Sequence, residues 1–273
     1  MYKLVVIDLD NTLLNNEHKI SEKNKEIVQK VRSKGLEVII ATGRMYISAK
    51  PFLKDLSLEN SAIVYNGAMV KDVETDKTIY HKPINKKYAK EIIKDAKKEG
   101  LHINLYQDDK LYVDKDNKYT KRYEEISGIK AEKVDDLSEL KLVAPTKLLI
   151  IEDNPELHSY YQKYLDNKYG DIITVTESKK YFIEIGSKGV NKGKTLQKLI
   201  KGKDINRNEI IAIGDSYNDI EMLSYAGTGI AMENAPEEIK KKADLVAPHN
   251  EEDGVALILD KIIMNWNSIK KMI

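Results

Sequence analysis

Apolar residues first gather in LVVID, residues 4 to 8, a continuous run of the length that a strand buried on both faces requires. The following ISEKNKEIVQKVRSKG, residues 20 to 35, spaces Ile27, Val28 and Val31 at helical intervals and stops at Gly35. LEVIIAT, residues 36 to 42, repeats the strand pattern, and a helix is expected near 46 to 55. SAIVYNGAMV then reads as a strand, an Asn-Gly turn and a second strand. Toward the C-terminus KTLQKLI is helical, EIIAIGD at 209 to 215 is another buried strand, NDIEMLSYA is a short amphipathic helix, and TGIAM is a further strand. Alternation of strand and helix at both ends predicts one parallel sheet shared between them, hence an α/β class.

The texture changes between them. INKKYAKEIIKDAKKEG reads as a helix, HINLYQ and KLYVD as paired strands, KLLIIED as a strand, PELHSYYQKYLDN as a helix, and DIITVT with KYFIEI as a hairpin. This predicts an α+β domain inserted over 84–185, with 1–83 and 186–273 forming the core; Pro83 and the Gly186 to Gly189 stretch are the expected crossing points. No internal repeat is visible.

Composition narrows the function. At 273 residues and 41% hydrophobic, the chain can bury a full core. A net charge of +1 gives no global field for nucleic acid or a membrane surface, so any anion must be held locally. There is no cysteine, which removes thiolate metal sites, cysteine nucleophiles and disulfides. The opening apolar stretch is too short for a signal peptide or a membrane span. A cytoplasmic protein is therefore expected, a monomer or weak homo-oligomer.

The candidate chemistry lies at strand ends. Asp8 and Asp10 sit at i and i+2 at the end of the first strand, so both are expected to point to one face and Leu9 to the other. Carboxylates that close repel, and magnesium is the simplest cation to neutralise them, because it takes one or two carboxylates plus substrate phosphate oxygens. A solvated strand end with turn-forming Asp and Asn would look the same. In IIAIGDSYNDIEML, Asp215 ends another run with Asp219 four residues on, so that two strands of one sheet can surround one hard cation with carboxylate oxygens. IIATGR ends a strand with Thr42 beside Gly43, where backbone approach is unhindered, and GVNKGKTLQKL puts Lys192 at a helix start that favours anions.

DLDNT, ATGR, the lysine of VNKGKTLQKL and GDSYND, in that order around a large insertion, resemble the haloacid dehalogenase superfamily of phosphatases, most closely its Cof-type group. YNGA at 65 to 68 and HNEEDGVA at 249 to 256 also look like stretches of that family. Asn11 departs from the glycine usual there, although asparagine tolerates similar turn conformations. The resemblance implies a Rossmann-like parallel-sheet core with helices on both faces and an inserted cap that selects substrate. It also implies a magnesium-dependent phosphatase acting on a small phosphorylated metabolite, a sugar phosphate or related phosphomonoester. Asp8 would be the nucleophile that forms an aspartyl-phosphate and Asp10 the general acid and base. Thr42, Gly43 and Lys192 would hold the phosphoryl group; Asp8, the backbone carbonyl of Asp10 and Asp215 would hold magnesium, with Asp219 beside them and Asn218 supporting the loop. No nucleic acid or membrane partner is implied.

Weaker candidates stand next to plainer readings. Asn66 belongs to a strong hairpin signal and equally to the neighbourhood of a phosphate, and Arg44 is either a substrate contact or a solvated helix-start residue, its claim being that the chain has only four arginines. The five histidines show no metal-ligand spacing, and Tyr160, Tyr161 and Tyr164 fall at helical spacing suited to packing the insert. GVNKGKT is not a nucleotide-binding P-loop, since Lys188 stands where its first glycine is required. A phosphomutase of the same fold and a catalytically silent protein that binds a phosphorylated ligand remain as alternatives.

Overall fold

The computed structural model of the protein describes residues 1–177 and 180–270, with side chains through residue 264 in the C-terminal helix. The chain forms two compact units, one from 1–43, 49–79 and 191 onward, the other from 44–48 and 80–190.

The first unit is built on five parallel strands in the order Leu245–Ala247, Thr228–Met232, Ile210–Gly214, Leu4–Ile7 and Glu37–Ile40. Val5 is opposite Ile211 on one side and Val38 on the other. All four residues of Leu4–Ile7 are fully buried, which is why LVVI shows no polar alternation: helices cover both faces of this sheet. Glu22–Ser33 packs against Gly254–Lys270, and Lys192–Ile200 against Ile220–Tyr225. Ser21 opens the first of these helices by accepting from the Asn24 N–H at 3.1 Å, a serine N-cap. Ser61–Val64 extends the order beyond Glu37–Ile40 through the Ala41–Ile63 bridge and pairs antiparallel with Met69–Asp72.

The second unit carries a six-stranded sheet in the order Ile173–Glu177, Phe182–Ser187, Lys147–Ile151, His102–Gln107, Lys110–Val113 and Glu132–Lys133. All neighbours are antiparallel except the last pair. Lys86–Lys98 and Pro155–Tyr169 supply Ile92, Ile93, Tyr161 and Leu165 to the cluster formed with Ile103, Leu105, Leu148 and Ile150 of the strands. Of the three helical tyrosines, Tyr161 is buried and Tyr164 packs on that cluster, whereas Tyr160 is exposed.

The helices Lys118–Ser127, Glu237–Lys240 and Gly254–Lys270 and the strands Thr78–His81, Glu132–Lys133 and Leu245–Ala247 have no counterpart in the pattern-based expectation. KYTKRYEEIS presents tyrosines rather than aliphatic residues, so its helical period is faint, yet the ends are marked. Asn117 accepts from the Tyr119 and Thr120 N–H groups, and Gly128 closes the helix in the left-handed region. The Asn-Gly hairpin also differs. The last pair is Val64 with Met69, so four residues make the connection instead of two.

Candidate active site

The carboxyl ends of the parallel strands bring four sequence motifs together. Asp8 follows Ile7 directly, and its N–H continues the ladder to the Ile213 carbonyl at 3.0 Å. The chain then turns over Leu9–Leu13, with Asn11 in the left-handed region at φ 55°, where asparagine serves in place of glycine. The strand thus ends before Asp10, and strand alternation does not set the direction of that side chain. Asp8 is buried; the Asp10 side chain is 39% exposed, with His18 Nδ1 3.9 Å from its Oδ1.

Asp215 follows Ile210–Gly214, and Asp219 lies at the end of the short turn Tyr217–Asp219. Ligand atoms of Asp8, Asp215 and Asp219 lie within 4.8 Å of one another, all three residues buried; the Asp10 carboxylate is not in this group. Lys192, on the first turn of Lys192–Ile200, enters the cluster fully buried and donates to Asp8 Oδ1 and to Asp219 Oδ1, each at 2.6 Å. The other oxygen of Asp219 accepts from the backbone N–H groups of Asp215 and Ser216 at 3.1 and 3.0 Å. Both Asp219 oxygens are thereby engaged, one aiming the lysine and one shaping the Asp215 loop. Thr12 donates to Asp215 Oδ1 at 3.0 Å.

The electrostatics follow from burial. Desolvation pushes the Asp8 carboxyl well above its usual range, opposed by the Lys192 ammonium and reinforced by Asp219, Asp215 and Asp10. Asp215 is pushed up to about 7, first by burial and then by Asp219, against the Thr12 hydrogen bond and Lys192. The Lys192 ammonium is held protonated, because the attraction of Asp219 and Asp8 exceeds the desolvation that would neutralise it. With all three buried carboxyl groups ionised, the one buried ammonium leaves two negative charges without a partner inside the cluster. Hard oxygen donors with that deficit fit a divalent cation such as magnesium.

Thr42 is fully buried at the end of the second parallel strand, its N–H donating to the Ile63 carbonyl at 2.8 Å. Gly43 has a steric reason beyond conformational freedom: a Cβ there would sit 2.9 Å from Asn66 Oδ1. That oxygen accepts from Asn218 Nδ2 at 2.9 Å, which links the YNGA loop to the GDSYND loop. Arg44 belongs to the second unit, where its Nη1 reaches Ser48 Oγ at 3.5 Å.

Several positioning residues carry no obvious sequence signal. Asn24 Nδ2 donates to the Leu13 carbonyl, Asn250 Nδ2 to the Leu14 carbonyl and Asn234 Nδ2 to the Asn11 carbonyl, so three asparagines tie down the turn that carries Asp10. Asn250 explains what HNEEDGVA does in the fold. Thr12 lies inside DLDNT, but its partner is 203 residues away in sequence and could not be read from spacing.

The description "haloacid dehalogenase-like hydrolase" belongs to the family whose model matches residues 5–259. The chain is a member of that family. Among relatives of this haloacid dehalogenase-like hydrolase, phosphatase YwpJ of Bacillus subtilis is 29% identical over 96% of this chain and 100% of its own length. The 5-amino-6-(5-phospho-D-ribitylamino)uracil phosphatase YwtE of the same organism is 31% identical over 96% and 98%. Among solved structures, TM0651 of Thermotoga maritima is 36% identical with a TM-score of 0.87, covering 96% of this chain and 97% of that one. A haloacid dehalogenase-like hydrolase of Bacteroides thetaiotaomicron is 29% identical with a TM-score of 0.89, over 96% and 100%. The chain is thus an enzyme of the phosphatase type, from a family that typically uses a metal ion. No helix among the described residues is long and apolar enough to cross a membrane.

Proposed function

We propose that this haloacid dehalogenase-like hydrolase is a magnesium-dependent phosphatase of a small phosphorylated metabolite, a sugar phosphate or related phosphomonoester, acting through an aspartyl-phosphate on Asp8. The charge deficit among Asp8, Asp215, Asp219 and Lys192 carries this reading. Asp8, Asp215 and the Asp10 carbonyl would hold the magnesium ion, which when bound neutralises charge on the phosphoryl oxygens. Asp219 supports this arrangement through Lys192 and the Asp215 loop.

Lys192 fixes one oxygen of Asp8, and the other attacks phosphorus as the bond to the leaving oxygen breaks. Thr42 and the backbone at Gly43 hold the phosphoryl group, and Lys192 balances charge on it. The more exposed Asp10 gives its proton to the departing alkoxide. It then takes a proton from the water that attacks the phosphorus of the aspartyl-phosphate, and this step frees inorganic phosphate and restores Asp8. The segment 84–185 selects the ester, a role supported by its having its own sheet and hydrophobic cluster while every residue assigned to the chemical steps lies outside it.

A panel of phosphorylated metabolites, assayed for released inorganic phosphate with magnesium and with a chelator, tests this reading. Turnover of at least one sugar phosphate or related ester with magnesium, abolished by chelation and restored by magnesium, is expected. Full turnover in chelator, in protein shown by elemental analysis to retain no metal, would overturn the metal dependence. Transfer of the phosphoryl group to a second hydroxyl without free phosphate would replace the hydrolase with a mutase.

A further inference from the structure

The six-stranded sheet of the second unit has two unlike faces. Ile103, Leu105, Leu148 and Ile150 point into the aliphatic cluster formed with the helices Lys86–Lys98 and Pro155–Tyr169. Residues that alternate with the aliphatic ones, His102, Asn104, Tyr106, Lys147 and Glu184, lie on the opposite face. The helix Lys118–Ser127 lays tyrosines on that face: the Tyr119 ring is 5.5 Å from the His102 ring and the Tyr123 ring 6.1 Å from the Tyr106 ring, centre to centre. Lys147, opposite Tyr106 in the ladder, stands in this aromatic layer with 9% of its surface exposed. Its Nζ lies 2.8 Å from Glu184 Oε1 and 5.6 Å from the centre of the Tyr106 ring.

Packing does not explain a lysine here. A buried ammonium is costly, and apolar residues of similar volume serve a fold as well as a buried ion pair or better, as they do on the other face of this sheet. Burial works to neutralise Lys147, and the attraction of Glu184 and then Tyr123 keeps it charged. An ammonium has three N–H donors, and among the described residues the one carboxylate paired with Lys147 is that of Glu184. The same layer leaves Asn104 Nδ2 and His102 Nδ1 buried without partners, which a layer shaped for stability alone does not do. Chain connectivity relates Lys147 to the chemistry. Residues 44–48 belong to this unit, tied in by the Tyr46 and Ile47 N–H groups on the Asp109 carboxylate at 3.1 and 2.8 Å, and the charges of Lys147 and Arg44 both act on the Tyr123 hydroxyl. Arg44 is two residues beyond Thr42 in the chain.

We propose that Lys147 determines specificity: its ammonium, aimed by Glu184, donates hydrogen bonds to hydroxyl oxygens on the alcohol half of the ester. Glu184 cancels its charge, so the pair attracts no second phosphate and favours a neutral polyhydroxylated alcohol, a sugar or polyol. The proposal deepens the phosphatase reading and rests on it. Within the segment that selects the ester, it names the residue and the part of the substrate that residue reads. A site built to hydrogen-bond a hydroxyl strongly rejects an analogue that lacks it, whereas an apolar site discriminates far less.

Steady-state kinetics with magnesium test it. Glucose 6-phosphate, ribose 5-phosphate and glycerol 3-phosphate are compared with n-butyl phosphate, an alkyl ester without the hydroxyls, and p-nitrophenyl phosphate measures phosphatase activity itself. The parent is expected to favour at least one of the three over n-butyl phosphate by kcat/KM. Lys147→Met should cut that ratio by about tenfold to hundredfold, the loss of a hydrogen bond from a charged donor. Because Lys147→Met leaves the Glu184 carboxylate without its ammonium and can unfold the unit, Lys147→Met/Glu184→Gln is measured beside it. The paired variant should show the same fall in ratio, with a melting temperature no lower than that of the single variant. Lys110→Met, which breaks an exposed pair with Glu132 in the same unit, should leave the ratio where it was. A parent that takes n-butyl phosphate as well as the best of the three would overturn the proposal. So would a paired variant whose ratio is unchanged, including one in which every ester loses activity by the same factor, the outcome of a purely structural role. A parent inactive on p-nitrophenyl phosphate and on every other ester fails as a phosphatase, a result distinct from activity whose ratio Lys147 does not move.

Discussion

Raising the pH of the metal-free protein from about 5 to about 7 should weaken it, and magnesium should abolish that weakening. Asp215 is buried beside Asp219, and burial holds its carboxyl at about 7 in the folded protein against an ordinary 3.8. Over the interval between those values the folded state binds a proton that the unfolded state has released, so stability falls as pH rises. The contribution is complete below 3.8 and is lost as pH climbs through about 7. Each pH unit in that window is linked to about 1.4 kcal/mol, hence roughly 3 kcal/mol between pH 5 and 7. Asp8 is shifted the same way and adds to the slope. Magnesium binds only the ionised carboxylates, so the loaded protein has no proton to lose there, and binding should release protons more extensively at pH 6 than at pH 8.

The assay is urea unfolding at a series of pH values in chelator and in magnesium, with Asp215→Asn as the reference. The difference between parent and reference matters because His102 runs the other way. Burial lowers it to about 4, so its contribution is lost as pH falls from 6.5 toward 4, and it cancels in the difference. A parent-minus-reference stability that stays flat, or rises with pH in chelator, would refute the picture of a proton-holding, metal-free carboxylate cluster.

Two further outcomes follow from the same geometry. Asp10→Asn keeps shape but cannot shuttle a proton, so kcat on alkyl phosphates should fall about 10²-fold or more while aryl phosphates with good leaving groups suffer less; an equal loss across leaving groups would remove Asp10 from that role. Asp219→Ala strips Lys192 of one of its two carboxylates and leaves the Asp215 and Ser216 N–H groups unaccepted, which should lower the unfolding free energy by about 3–5 kcal/mol in chemical denaturation; a loss under about 1 kcal/mol would contradict the anchoring read from its two engaged oxygens.

The parallel sheet was legible because its strands are buried on both faces: LVVI and IIAIG leave no alternative to interior positions, and each stops at a carboxylate. The sequence also showed that Lys192 opens a helix and that Asn11 stands where a left-handed turn is wanted. It did not show how the two oxygens of Asp219 are divided, because that depends on where Lys192 and the Asp215 and Ser216 N–H groups meet in space. Reading Asp8 and Asp10 as neighbours on one strand face assumed that the strand continues, whereas the backbone turns after Asp8 and leaves Asp10 the more exposed of the two. The histidines gave no ligand spacing, and the sequence did not show that two of them are buried with part of their hydrogen-bonding capacity unmet. His102 Nε2 pairs with Asn104 Oδ1 while its Nδ1 is buried without a partner, as is His158 Nε2. YNGA carried a correct reversal but not its length: Asn66 N–H donates to the Thr42 carbonyl and the Gly67 carbonyl accepts from Thr195 Oγ1, long-range contacts that no local preference encodes.

The covalent role of Asp8 is tested most directly by quenching a single turnover in acid within milliseconds, reducing any acyl phosphate with borohydride and locating the modified residue by peptide mass spectrometry. A phosphoryl adduct on Asp8 is expected that forms before free phosphate appears, decays as phosphate is released, and is missing from the folded Asp8→Asn protein. An adduct on another side chain, or phosphate released at the full rate by Asp8→Asn, would contradict it.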